Sequence, residues 1–251
     1  MSNTPGIEWI TPDWPAPPAV RALSTCRAGG VSEGPFRSLN LAGHVGDAPD
    51  SVLRNRGRLA AAADLPVEPT WLEQVHGCDV VNAGAAPGGA CADASIAHGP
   101  GAVCAVMTAD CLPVIFCNSS GTQVAAAHAG WRGMAGGVLE RTVGSFSDDP
   151  ADLMAWLGPA IGPRAFEVGD EVRDAFVAIS PDNGQAFRAG RQGHWFADLY
   201  ALASSALARA GVTRVAGGGL CTCSDPGRFF SYRRDGLTGR MATLIWIEPR
   251  E

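Results

Sequence analysis

The chain contains no lysine; each of its 19 basic residues is arginine. That absence excludes Schiff-base catalysis, a pyridoxal-phosphate anchor and a standard P-loop, each of which needs a lysine amine. Any clamping of an anion falls to arginine. Positive charge is also in deficit: at −6 overall, the chain opposes the electrostatic capture of phosphate backbones, so nucleic acid is not an expected partner. No stretch approaches the ~20 apolar residues needed to cross a bilayer. Residues 1–6 (Met-Ser-Asn-Thr-Pro-Gly) lack the basic start and apolar stretch of a leader. A cytoplasmic protein with no membrane partner is expected.

At 251 residues and 46% hydrophobic, the chain can bury one continuous core, and residues 1–251 are read as a single domain. A core of that size needs no staples. The eight cysteines are therefore expected as reduced thiols, with Cys104 and Cys117 packed inside apolar runs.

Apolar runs alternate with helical patterns, which indicates a mixed α/β architecture. A strand is predicted over 20–25. A helix is predicted from the capping residue Asp50, just after Pro49, to about residue 64, with its arginines facing water. Three short apolar runs, 102–107, 113–117 and 123–127, read as strands buried on both faces at the centre of one sheet. Further helices are expected over 133–146, 170–179 and 196–210, the last ended by Gly211 as a left-handed cap. Strands over 229–232 and 241–247 close the chain, and the Pro-rich start and 83–90 are loops.

Three residues stand out: His76 in 71–77 (Trp-Leu-Glu-Gln-Val-His-Gly), Cys111 in 108–111 (Thr-Ala-Asp-Cys) and His128 in 127–133 (Ala-His-Ala-Gly-Trp-Arg-Gly). Two imidazoles and a thiolate can hold zinc with one coordination position open, the arrangement of a catalytic site. Their intervals, 34 and 16 residues, match no local metal motif. Placement is the stronger sign, because each falls at an element boundary beside Gly or Asp and outside any apolar stripe. Taken singly, either histidine also fits a hydrogen-bonded structural role. Cys221-Thr-Cys223 is a rival metal pair without a second pair nearby, and His98 and His194 read as exposed loop residues.

In chain order, 71–77, 108–114 (Thr-Ala-Asp-Cys-Leu-Pro-Val), 127–133, 157–163 (Leu-Gly-Pro-Ala-Ile-Gly-Pro) and 230–240 (Phe-Ser-Tyr-Arg-Arg-Asp-Gly-Leu-Thr-Gly-Arg) resemble the laccase-domain family, once called multicopper polyphenol oxidoreductases. The resemblance spans nearly the whole chain. It implies a single α/β domain of layered sheets flanked by helices, and zinc held by His76, Cys111 and His128. It also implies purine nucleoside phosphorolysis, with adenosine deamination and methylthioadenosine cleavage credited to members. The older name fails on ligand count: a multicopper oxidase needs a blue-copper site and a trinuclear cluster, and the chain has five histidines. Copper remains an adventitious occupant of a three-ligand site.

Phosphorolysis needs an anion held beside a developing positive sugar. Arg132, close after His128 at the start of a predicted helix, is the first candidate for phosphate, with Arg233 and Arg240 as second choices that equally suit surface charge. Asn40 and His44, in 38–47 (Ser-Leu-Asn-Leu-Ala-Gly-His-Val-Gly-Asp), are read as site-lining, with His44 as acid or base; Asn40 and Asp47 equally suit a turn. Two other classes compete. One is a metal-free cysteine hydrolase using Cys111 as nucleophile with His128 or His76 as base; the other is a non-catalytic partner protein.

Overall fold

The computed structural model describes residues 6–249, so most of the opening segment read above for a leader lies outside the described residues. Three sheets organise the described residues. A four-stranded sheet runs in the order β1 (Trp9–Ile10), β2 (Val20–Thr25), β13 (Met241–Ile247), β5 (Val103–Thr108), and its pairings are antiparallel. A six-stranded sheet runs β12 (Arg214–Gly217), β8 (Leu153–Leu157), β6 (Leu112–Asn118), β7 (Val124–Ala129), β4 (Ala94–Ala97), β3 (Val80–Asn82). Its two edge pairings are parallel and the inner ones antiparallel, so the sheet is mixed. The small third sheet is β10 (Phe187–Ala189), β11 (His194–Ala197), β9 (Glu167–Gly169).

Side chains alternate across each strand, and the core follows that alternation. On β5, Cys104 and Val106 turn towards Ile115, Cys117, Val124 and Ala126 of the six-stranded sheet. Val103, Ala105 and Met107 turn the other way, onto Leu39, Leu41 and Leu59. On β6 and β7, Val114, Phe116, Ala125 and Ala127 face the helices. The result is a sheet-on-sheet sandwich with a helix layer on each outer face. Each fully buried aliphatic or aromatic side chain contributes about 1.5–3 kcal/mol, which is why the three apolar runs of the sequence are strands and not loops.

Those runs do not share one sheet as expected. β5 belongs to the four-stranded sheet, β6 and β7 to the six-stranded one. The turn 109–111 therefore crosses from one layer to the other, and Cys111 sits on that crossing. Continuous apolar character signals burial on both faces, but it does not say which neighbour a strand pairs with.

Helix boundaries differ from expectation where local chemistry intervenes. Helix α1 is Pro49–Ala62, starting at proline, whose missing N–H costs nothing at that position; Asp50 lies in its first turn and does not cap it. Its arginines do not all face water: the Arg56 guanidinium stacks on Trp71, and Arg58 donates to the Gly29 carbonyl at 3.0 Å. The helix expected over 133–146 is two short ones, α2 (Trp131–Ala135) and α3 (Val138–Val143), broken where Gly137 takes φ 94°. Helix α4 is Asp170–Ile179 as expected. Helix α5 is Leu199–Arg209, starting later than expected because Asp198 caps it and the preceding residues pair as β11; Gly211 has φ 90°. Residues 229–232 form no strand: Phe229 and Phe230 are buried in irregular chain, and Ser231 caps α6 (Tyr232–Asp235).

Candidate metal centre

The register of β6 against β7 brings two of the three donors together. Leu112 pairs with Ala129 and Pro113 with His128. Just beyond the end of that ladder Cys111 lies beside Gly130, where an added Cβ would stand 3.1 Å from its sulfur. In an antiparallel ladder, residues two apart share a face, so Cys111 and His128 are diagonal neighbours on the face turned towards the other sheet. His76 arrives from a loop. Gln74 fixes that loop by bonding Met107 of β5 both ways, its amide donating to the carbonyl at 2.8 Å and its oxygen accepting the N–H at 2.7 Å. The ligand atoms of His76, Cys111 and His128 all lie within 4.8 Å of one another.

Asp93 organises the cluster. This fully buried carboxylate accepts the His128 Nδ1–H at 2.7 Å and the amides of Val75, His76 and Gly77 at 3.1, 3.0 and 2.6 Å. Three successive N–H groups converging on one carboxylate hold His76 at φ 60°, a left-handed conformation that a histidine otherwise adopts at a cost. With Nδ1 engaged, His128 keeps Nε2 for the cluster, the usual outer-shell arrangement of a metal-bound histidine.

The electrostatics follow from this geometry. Burial would lower the His128 imidazole, but the Cys111 sulfur and the Asp93 carboxylate outweigh it and raise it to about 9. Burial would raise Asp93, but the His128 ring and the amides of Gly77 and Val75 hold it below the usual carboxylate range. His76 is lowered, first by burial and then by His128.

A cradle is left open for these donors. A Cβ on Gly130 would stand 2.7 Å from His76 Nδ1 and 3.1 Å from Cys111 Sγ. Two imidazoles and a thiol, a carboxylate orienting one ring, and a neighbour with no side chain together make a group able to hold a metal ion. Among the described residues Cys221 and Cys223 join no such group. All eight cysteines are free.

Asp110, just before Cys111, has φ 98° and spends its carboxylate on two segments: the Thr222 hydroxyl and the Arg233 amide each donate to it at 2.6 Å. This pins the start of α6 beside the cluster. The other residues singled out in the sequence fall at different places. Arg240 is half-buried, with Nη1 donating to the Thr238 and Gly239 carbonyls, and burial lowers its ordinary value while Cys111 and Asp110 raise it. Arg132 is exposed and stacked on Trp131 in a helix of five residues, too short for the long-helix terminus expected there. The Arg233 guanidinium lies over Phe166 and donates to the Glu167 carbonyl at 2.9 Å.

Asn40 is fully buried. Its amide nitrogen donates to the Ala42 carbonyl and Asp47, and its oxygen accepts the amides of Ala42 and Arg240. His44 is exposed, lining a cleft with Tyr232, Leu237, Thr238 and Arg240. Burial, then Arg240 and Arg56, lower its imidazole, with Glu73 acting in the opposite sense. His98 is exposed, while His194 opens β11 and does not sit in a loop.

Sequence reasoning missed Asp93, Asp110 and Gly130. The first leaves only a faint trace, a carboxylate heading the short, mostly apolar stretch 94–97; its burial, and so its need for partners, comes from the fold. Gly130 carries no such mark, because its role depends on a ring arriving from a remote loop.

Residues 21–248 match the family model described as multi-copper polyphenol oxidoreductase laccase. The chain is 56% identical over 239 residues to purine nucleoside phosphorylase YfiH of Escherichia coli (strain K12), covering 95% of this chain and 98% of that protein. It is 56% identical over 242 residues to purine nucleoside phosphorylase PA4543 of Pseudomonas aeruginosa, covering 96% and 98%. The crystal structure of Neisseria meningitidis protein NMB0706 superposes with a TM-score of 0.93 at 53% identity, over 96% of this chain and 99% of that one.

Proposed function

Because the chain belongs to the multi-copper polyphenol oxidoreductase laccase family, we propose that it is a zinc-dependent purine nucleoside phosphorylase acting on adenosine and related nucleosides. What carries the reading is the likeness, over nearly the full length of both chains, to proteins named purine nucleoside phosphorylase. The reading extends to adenosine deamination and methylthioadenosine cleavage at the same cleft, in the cytoplasm, with purine nucleosides and inorganic phosphate as partners.

His76, Cys111 and His128 would hold the zinc, which would supply Lewis-acid chemistry beside them. Zinc suits the donor set of two nitrogens and one sulfur. Asp93 keeps the His128 ring in register.

The remaining work falls to side chains beside the cluster. Arg240 is the phosphate-binding candidate we favour, because among the described residues its Nε and Nη2 make no hydrogen bond. A guanidinium offers those donors in a fork that matches phosphate. Asn40 positions it by accepting its backbone amide at 2.9 Å. Arg132, near His76, is a second electrostatic contributor; Arg233 acts by tying α6 to residues 165–167.

His44 is assigned as the acid/base. Its lowered pKa keeps the ring neutral near pH 7, able to accept a proton. A phosphate oxygen attacks the anomeric carbon as the bond from that carbon to the purine nitrogen breaks. His44 takes the phosphate proton and returns it to the departing base. Incubating the purified protein with adenosine and phosphate tests the reading: adenine and ribose 1-phosphate are expected in equal amounts, and their absence overturns it. Inosine appearing in the same mixture reports deamination.

A further inference from the structure

The cleft lined by His44, Val45, Tyr232, Gly236, Leu237, Thr238 and Arg240 has a volume of about 450 Å³, within the range of small-molecule sites. Two large apolar side chains on it are left to solvent: Tyr232 is 62% exposed and Leu237 58%. The contrast with the only other tyrosine is informative. The Tyr200 hydroxyl donates to the Leu220 carbonyl at 2.6 Å and accepts the Ala160 amide at 3.0 Å, so that ring serves the fold. The Tyr232 hydroxyl makes no hydrogen bond among the described residues, and its ring meets the Arg240 guanidinium at 5.8 Å from the centroid.

Its position is fixed with respect to the metal centre. The next residue, Arg233, donates its amide to Asp110, which immediately precedes Cys111. Arg240 lines the same cleft, and Cys111 and Asp110 belong to its electrostatic surroundings. Gly236 ends α6 at φ 68°, turning the chain so that Leu237 lines the same cleft. An exposed aromatic face, an aliphatic neighbour and a cation on the cluster side are complementary to a flat heteroaromatic base joined to a sugar and an anion.

We propose that Tyr232 and Leu237 form the platform on which the purine base stacks, making this cleft the base subsite, with the ribose directed towards Arg240 and the metal centre. The proposal rests on the phosphorylase reading for the identity of the ligand. Stacking requires the ring and not the hydroxyl, and it touches only the base.

Calorimetric titration of the metal-loaded protein with adenosine, without phosphate, tests it. Tyr232→Ala is expected to raise the adenosine Kd roughly tenfold. Tyr232→Phe retains tight binding, and Leu237→Ala weakens it in the same sense. Ribose 1-phosphate, which has no base, binds Tyr232→Ala as it binds the wild type. Unchanged adenosine binding in both alanine variants overturns the proposal, and so does an equal loss for ribose 1-phosphate. Tyr232-dependent adenosine binding without adenine release supports the subsite while overturning the phosphorylase reading. Adenine release with a KM indifferent to Tyr232 does the reverse.

Discussion

Gly130 stands so close to His76 that a Cβ on the glycine would lie 2.7 Å from the ring's Nδ1. The backbone there is ordinary, with φ −64° and ψ 158°, so alanine is conformationally permitted and its effect is steric alone. Gly130→Ala is predicted to fold but to push His76 off the cluster, lowering metal affinity roughly tenfold or more. Competition with a chromogenic chelator measures this; unaltered affinity would show that the cradle is not needed.

Asp93 offers a second test, because it can lose its charge without changing shape. Asp93→Asn is expected to weaken metal binding by roughly 10–100-fold, since the amide no longer matches three converging N–H groups and the His128 ring together. Wild-type affinity in this variant would contradict the outer-shell role.

The His44 assignment predicts a pH profile. Its pKa lies below the ordinary 6.5, lowered by burial, Arg240 and Arg56. Neutral His44 is the working form, so kcat/KM should hold steady through pH 7 and fall as acidification carries it through that lowered pKa. His44→Gln is predicted to lose about 10²–10⁴-fold in rate and to lose the acid limb with it. An identical acid limb in the variant would assign it to another group.

Thiol chemistry separates the cysteines. Burial pushes Cys104 and Cys117 up to about 12. At Cys221 burial acts the same way, but hydrogen bonds from Ser224 and the Gly162 amide outweigh it and lower the thiol. Iodoacetamide at neutral pH is expected to label Cys221 and spare Cys104 and Cys117, as peptide mass spectrometry would show. Labelling of Cys104 as fast as Cys221 would contradict the packing described.

Much of the architecture is legible in the sequence because burial leaves a linear trace. The boundaries of β2, α4 and β13 follow from apolar runs and their flanking breakers. The pairing of β5 with β13 is not legible, because the partner lies over a hundred residues away and nothing local encodes the choice. The same limit governs the site. His76, Cys111 and His128 stand out as reactive residue types at element boundaries, whereas Gly130 and Asp93 matter only through what approaches them in space. The split of the helix after Trp131 turned on Gly136 and Gly137, where a Cβ at Gly136 would lie 2.7 Å from Cys78 Sγ.

Metal analysis of the protein purified without added ions, beside Cys111→Ala, goes to the heart of the account. About one zinc per chain is expected in the wild type, with zinc and adenosine phosphorolysis lost together from the variant. A wild type active without metal, or a Cys111→Ala protein that keeps both metal and turnover, would contradict the assignment of His76, Cys111 and His128 to a shared ion.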